Sequence, residues 1–557
     1  MMLALIIVVA IAVIWLVERS VEQLGLAIAA FGFSAAALLL AVADLERAIL
    51  LSSIAAVAIF GVSSVKHTHS GLKLTVTDLP LVFAGTVPFL VVQYPLAAMA
   101  MLLGGTALGL TTIATLLYVR GPPVPLELQV LLLGMACINL AAAYRVSGGP
   151  ASFQPIAPMR RCFFSTFIAS LLDPLSWRQF SGLTLSDIAS DRLPLMAAVP
   201  ARTLDYPDII VIQHESIFDP RAYGLSVEPI VEAFLSPEGG LHGSLNVDIF
   251  GGGSWQSEFS LLTGLSSASF GSSAYFLFKR GVGRFHNSLP HALAALGYST
   301  TLMSSCRRNF LNYDAFYRSI GIGERIFSDD IVPPFDVTRF ETTYSDALFL
   351  DAVIDAHSKG IADDAAPRFL YALTNFNHGP HNRRMVPSGQ FESERAFAAA
   401  SLPDPCYAEY YARLAETAVT WNRLKSELAT RFPARPTLIV HYGDHQPVMT
   451  RRIEAKLNLP ADARRQFRTF YAIEALNYRP DRLVSGRGAN LDIAFLGTVA
   501  LQQAGLPLDE IFATRASLLD PCGEAYFASS SERKRRFHRT LVELGVIDVA
   551  PAVRYQT

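Results

Sequence analysis

Two hydrophobic patterns divide this chain. Up to about Arg145 the apolar residues come in long, nearly unbroken stretches: Leu3–Val17, Leu24–Val42, Ile49–Val65, Leu79–Tyr118 and Leu126–Ala143. Stretches near twenty apolar residues are long enough to cross a hydrocarbon core as helices. Beyond Leu204 the apolar residues form short runs of strand length instead, at Asp208–Gln213, Leu245–Phe250, Ser299–Ser304, Phe369–Thr374 and Thr437–His441. Segments of helical pattern, such as Leu289–Leu296 and Glu409–Leu428, lie between them. Strands alternating with helices predict a largely parallel sheet covered on both faces.

The first pattern predicts a transmembrane domain over residues 1–145 with five or six spans, because Leu79–Tyr118 could turn near Gln93-Tyr94-Pro95 or form one long helix with a re-entrant piece. A secretory signal would account for the first run only and would be followed by polar sequence. Lys and Arg in short loops orient such a domain. With six spans, Arg19, Lys66, Lys73 and Arg120 inside leave Arg47 outside and carry the C-terminal part across the membrane. Five spans with the N-terminus inside export it as well, so under either count the chain is expected to be multi-pass with its C-terminal part outside the cytoplasm. Residues 146–203 read as a linker: Gly148, Gly149, Pro150, Pro155 and Pro158 break regular structure, and Arg160 and Arg161 head the apolar Cys162–Leu172. That segment suits an interfacial helix, or a linker helix packed on the soluble domain. The α/β domain is expected over 204–530, followed by a basic tail, 531–557, with a short amphipathic stretch.

Composition narrows the function. The chain is 51% hydrophobic over 557 residues and nearly neutral, with 46 Lys plus Arg against 48 Asp plus Glu. No basic, aromatic-rich face marks a nucleic-acid binder, so no nucleic-acid partner is expected. The 5 cysteines show no zinc-knuckle or C-x-x-C spacing; outside the cytoplasm Cys306, Cys406 and Cys522 could form one disulfide.

The strand-like runs end in residues that bind divalent metals: Asp208-Ile-Ile-Val-Ile-Gln-His-Glu215, Phe369-Leu-Tyr-Ala-Leu-Thr-Asn-Phe-Asn-His378 and Thr437-Leu-Ile-Val-His-Tyr-Gly-Asp-His445. Ligand groups gather at the carboxyl ends of parallel strands, so residues remote in sequence can converge there. Between the first two lies Phe250-Gly-Gly-Gly-Ser-Trp-Gln-Ser-Glu-Phe-Ser-Leu-Leu-Thr-Gly264. Its glycines let backbone approach an anion, and Ser254 sits at a helix start, where partial positive charge favours a phosphate or an alkoxide. Asp444 and His445 at a strand end could put oxygen and imidazole on one cation, with Glu215 and the Ser254 oxygen completing the set. Such an ion would lower the serine pKa and hold a phosphoryl oxygen.

On these residues the chain resembles the sulfatase-like branch of the alkaline phosphatase superfamily, and within it the membrane phosphoglycerol transferases, which include lipoteichoic acid synthases and periplasmic-glucan phosphoglycerol transferases. The matching pieces are Glu215-Ser216, the G-G-G-[S/T]-x-x-x-E-F-x-x-L-T-G pattern at 251–264, Ser288-Leu-Pro, Gly297-Tyr, Asn375 to His378 and Gly443-Asp-His. The resemblance implies Glu215, Ser254, Asp444 and His445 as metal ligands, with manganese favoured and zinc or magnesium as alternatives. It also implies Ser254 as nucleophile, and His378 as a contact to the phosphoryl or glycerol group that could serve as acid or base. The implied partners are a phospholipid donor, phosphatidylglycerol, and an envelope or periplasmic glycan acceptor.

Two departures accompany it. Serine stands where lipoteichoic acid synthases carry threonine, and Tyr313 in Leu311-Asn-Tyr-Asp314 stands where they carry a pocket arginine, leaving Arg307 or Arg308 as a phosphate contact. Related phosphoethanolamine transferases show Asp-His-Gly-Glu-Ser at the last motif, whereas Asp444-His445 precedes Gln446-Pro447. True sulfatases need a C-x-P-x-R or S-x-P-x-R segment, absent here. A phosphodiesterase using water, and a membrane sensor of glycans or lipids that merely binds, complete the alternatives.

Overall fold

The computed structural model describes residues 24–70, 73–79, 95–146, 163–171, 183–202, 205–308, 312–331, 345–363, 365–460, 464–479 and 486–551, and a few isolated positions besides. The chain divides into two compact units, 1–182 and 183–557, each with its own core.

In the first unit the described helices are α1 (Leu24–Val42), α2 (Leu45–Ser70), α3 (Pro95–Tyr118), α4 (Leu126–Val146) and α5 (Phe163–Ser170). The first four are long and apolar enough to cross a membrane, four spans among the described residues where five or six were expected. Most of the Leu3–Val17 run and the turn at Gln93 and Tyr94 lie outside the described residues, as does the linker from Gly148 to Arg161. Rows of leucine face outward, Leu102, Leu103 and Leu110 of α3 among them. Such a surface is costly in water and neutral in lipid. The described part of Cys162–Leu172 is α5, whose apolar residues are buried against α1 and α2. Its first amides donate to Glu18 Oε1 at 2.9 and 3.0 Å, a carboxylate at a helix N-terminus, where it meets partial positive charge.

The second unit is a sheet with helices on both faces. Its strands are β1 (Thr184–Leu185), β2 (Asp208–His214), β3 (Leu241–Asn246), β4 (Ser299–Ser304), β5 (Glu324–Ile326), β6 (Arg368–Leu373), β7 (Thr437–Gly443), β8 (Arg468–Leu476), β9 (Gly486–Arg487), β10 (Leu491–Asp492) and β11 (Ala550–Pro551). The main sheet runs β10-β3-β8-β7-β2-β6-β4-β5, with β9 beside β3. Every pairing is parallel except those of β8, which is antiparallel to β3 and β7. The mainly parallel sheet read from the alternation is therefore present.

All of β2 is buried, and its side chains alternate between two cores: Ile209 and Val211 enter one, Ile210 and Ile212 the other. A period of two on a doubly covered strand requires apolar residues at every position, which is why the run reads as continuous. Around the sheet pack α6 (Ser254–Thr263), α7 (Tyr313–Ser319), α8 (Asp346–Asp363), α9 (Pro405–Arg431), α10 (Ile493–Gln503) and α11 (Glu532–Glu543).

Three sequence expectations shift. The strand placed at Leu245–Phe250 is Leu241–Asn246, because its partner β8 pairs from Leu241 to Asn246 and the glycines at 251–253 begin a turn. Cys406 and Cys522 are buried free thiols, which leaves no disulfide among Cys306, Cys406 and Cys522. The amphipathic stretch of the tail is α11, and Phe537, Leu541 and Ile547 join the core that Ile209 and Val211 of β2 enter; β11 pairs with β1.

Candidate active site

Strand order converts the sequence motifs into a site. β2 is central, with β7 on one side and β6 on the other, all parallel, so their carboxyl ends emerge together. In register, His214 lies opposite Gly443 and Gln213 opposite Leu373, which places Glu215, Asp444 and the Thr374–His378 segment on one edge.

Backbone detail fixes the ligands. Ser216 takes a left-handed conformation, φ 55°, and its amide donates to Asp444 Oδ1 at 2.7 Å, as does the amide of His445 at 2.7 Å. Ser216 Oγ donates to Glu215 Oε1 at 2.7 Å. The His445 Nδ1–H faces the Gln446 carbonyl at 3.1 Å, an arrangement that turns Nε2 toward the cluster. From the facing element, Gly251, Gly252 and Gly253 have φ of 79°, 144° and 95°. That path is open to glycine, and it delivers Ser254 as the first residue of α6. Ser254 Oγ donates to Glu215 Oε2 at 2.9 Å and lies 3.5 Å from His445 Nε2. His445 Nε2 is 3.4 Å from Glu215 Oε1 and 3.6 Å from Asp444 Oδ2.

One donor atom each from Glu215, Asp444 and His445 falls within 4.8 Å of the others. All three residues are buried, and Asp444 Oδ2 has no hydrogen-bond partner. A sealed carboxylate oxygen that accepts no hydrogen bond is costly unless a cation meets it. The cluster fits a divalent ion: three protein ligands and a serine hydroxyl offer mixed oxygen and imidazole donors suited to manganese, zinc or magnesium.

Electrostatics of the bare cluster point the same way. Burial, and then the charge of Glu215, push the Asp444 carboxyl up to about 7. Burial would lower His445, but Asp444 and Glu215 raise it to about 9. Glu215, despite its burial, is held well below the usual range by His445 and His378. Two carboxylates thus retain a proton on an imidazole whose Nε2 faces them, a position a metal cation would take over.

His378 is half-buried, near enough for its charge to act on Glu215, with Nδ1 2.7 Å from the Gly379 carbonyl. Of the two arginines offered as phosphate contacts, Arg308 is paired with Asp314 at 2.9 Å and Asp330 at 2.6 Å. Tyr313 is buried, its hydroxyl 3.3 Å from Glu258 Oε1. Sequence reading missed this network beneath the site, in which Glu258, one turn after Ser254, also accepts from Tyr317 and Gln213. The Glu-Phe pair of the glycine motif was its only visible trace.

Residues 207–480 match the family model described as Sulfatase. An uncharacterized protein of Haemophilus influenzae is 23% identical over 315 residues, a match spanning 55% of this chain and 55% of that relative. Among solved structures, the Streptococcus pyogenes phosphoglycerol transferase GacH in complex with sn-glycerol-1-phosphate is similar at 16% identity and TM-score 0.46, over 62% of this chain and 86% of that one. The lipoteichoic acid synthase LtaP from Listeria monocytogenes is similar at 15% and 0.40, over 55% and 76%. The zinc complex of the C-terminal periplasmic domain of EcEptC from Escherichia coli is similar at 14% and 0.39, over 56% and 86%. The stretch that holds the cluster is therefore the stretch that is similar to the sulfatase family, residues 207–480.

Proposed function

We propose that this protein is a metal-dependent phosphoglycerol transferase of a bacterial inner membrane, acting outside the cytoplasm. One observation carries the reading: a half-buried serine hydroxyl at a helix start, 2.9 Å from Glu215 in a buried Glu–Asp–His cluster, within a sulfatase-family domain joined to apolar membrane helices.

Glu215, Asp444 and His445 would hold the ion, with Ser254 Oγ beside it. When bound, the ion supplies Lewis acidity, lowering the serine pKa and neutralising phosphoryl oxygens. Ser254 Oγ attacks the phosphorus of phosphatidylglycerol; the phosphorus–oxygen bond to diacylglycerol breaks, and the departing oxygen takes up a proton. The glycerophosphoryl group stays on Ser254 until a glycan hydroxyl attacks, loses its proton and restores the serine. Amides at the start of α6 stabilise the phosphoryl charge. His378 supplies the proton to the leaving oxygen and removes it from the acceptor, as an imidazole can act as general acid and general base. Gln446-Pro447 after Asp444-His445, and the missing formylglycine segment, favour this reading over phosphoethanolamine transfer and sulfate ester hydrolysis.

The test is diacylglycerol release by the detergent-purified full chain with manganese, from phosphatidylglycerol and from phosphatidylethanolamine. Release from phosphatidylglycerol alone is expected, lost with chelator and in Ser254→Ala, with a glycerophosphoryl adduct on the Ser254 peptide by mass spectrometry. Release from phosphatidylethanolamine alone, or full activity in Ser254→Ala, would overturn it.

A further inference from the structure

The loop that carries His378 leaves the sheet at Leu373 and is then held by side chains. Asp346 Oδ1 of α8 accepts from the amides of Asn375 and Phe376 at 3.2 and 3.1 Å. On α9, Glu409, Arg413 and Thr417 are spaced four apart, so they share one face, and all three are buried. Thr417 Oγ1 accepts from Asn377 Nδ2 at 2.8 Å. The Arg413 guanidinium donates to the carbonyls of His378 at 2.9 Å, Pro380 at 3.2 Å and Arg383 at 2.7 Å. Its Nε donates to Glu409 Oε1 at 2.9 Å, which also accepts from the Met385 amide at 2.7 Å.

A fully buried cation is expensive to place, and burial pulls Arg413 below its ordinary value against the pull of Glu409. An Arg–Glu pair serving only the fold would pair with its own helix and neighbours. Here three of the four bonds converge on carbonyls of one loop, and the first belongs to His378 itself. We propose that this face of α9, with Arg413 at its centre, positions the His378 imidazole over the reacting oxygens. The inference rests on the proton-transfer role of His378 in the proposed function. A planar fork reaching several acceptors at once cannot be reproduced by the ammonium of lysine, so Arg413→Lys should let the loop drift while keeping the charge.

The experiment measures kcat and KM of the full chain with manganese on phosphatidylglycerol and on bis(p-nitrophenyl) phosphate, for Arg413→Lys, His378→Gln, the double variant and Thr417→Val. The expected result is a kcat for Arg413→Lys lower by about 10- to 100-fold, the usual cost of losing a group that orients a working side chain. KM and manganese affinity should stay near wild type. In the His378→Gln background the same change should cost nothing further, since coupled residues fail to add. Full additivity, or unchanged kcat in Arg413→Lys, overturns the clamp while leaving His378 in place. Unchanged kcat in His378→Gln removes the role of His378 and the clamp with it, as does absence of turnover of both substrates by the wild-type chain. If Arg413→Lys fails to accumulate as a folded protein, Thr417→Val carries the test. A several-fold loss of kcat that vanishes in the His378→Gln background supports the clamp, and an additive loss overturns it.

Discussion

Glu258 shows how much of this site lies one layer below its chemistry. Its carboxyl is sealed between α6, β2 and α7, where Tyr317, Tyr313 and Gln213 donate to it. Burial pushes it up to about 8, with the charge of Asp444 adding to the effect and those bonds opposing it. Its folded pKa then lies above the unfolded 4.5, so the native state holds the extra proton between the two values. Stability from this group is complete below the lower value and is lost as pH rises through the upper one. In the metal-free chain, Glu258→Gln should therefore gain on wild type in thermal stability from about pH 4.5 to about pH 8 and hold a steady difference above. A difference that stays flat across that window would show that Glu258 is ionised at neutral pH.

At the level of elements, the site depends on three strand ends emerging side by side and one helix start aimed at them. The end of β7 has no room to move: a Cβ on Gly443 would lie 1.9 Å from the Ile217 carbonyl oxygen, a backbone atom. Gly443→Ala must push the strand end, and with it Asp444, away from β2. Overpacking of this kind costs about 1–3 kcal/mol, so a lower melting temperature is expected together with weakened manganese binding by calorimetry. Retained metal affinity in a destabilised variant would mean that Asp444 tolerates displacement. The segments that leave and approach the sheet near this edge carry short helices of their own, Pro229–Leu235 and Glu392–Ser401.

For the whole molecule, the first unit supplies apolar helices and the second a buried Glu–Asp–His cluster, and the lipid donor we propose would give a reason for both in one chain. Our reading puts the second unit outside the cytoplasm. Ser393 is exposed on the helix Glu392–Ser401, so Ser393→Cys should react with a membrane-impermeant maleimide in intact spheroplasts, above the background of the native cysteines. Labelling only after lysis would place the unit in the cytoplasm and remove the periplasmic acceptor from the proposal. The helix α11 is part of the second unit: Lys534 is buried, pairs with Asp187 at 2.7 Å and donates to the carbonyls of Tyr526 and Phe527 at 2.9 and 3.0 Å.

The sequence by itself determined the apolar first third, the mainly parallel sheet and which carboxylates and imidazole stand at its strand ends. Continuous apolar runs of about twenty residues suit lipid and short ones rich in β-branched residues suit a doubly covered strand, and Glu215, Asp444 and His445 stand at the ends of such short runs. It could not show that β8 runs antiparallel between β3 and β7, because strand direction depends on the partner and leaves no mark on the strand. Tertiary structure alone decided that Tyr313 turns inward to Glu258 while Arg308 is taken by Asp314 and Asp330. It also decided that Arg413 is buried against the carbonyls around His378. On a helix of mixed polarity a charged residue reads as solvated, and only the packing of α9 against that loop reveals which of its charges water never reaches.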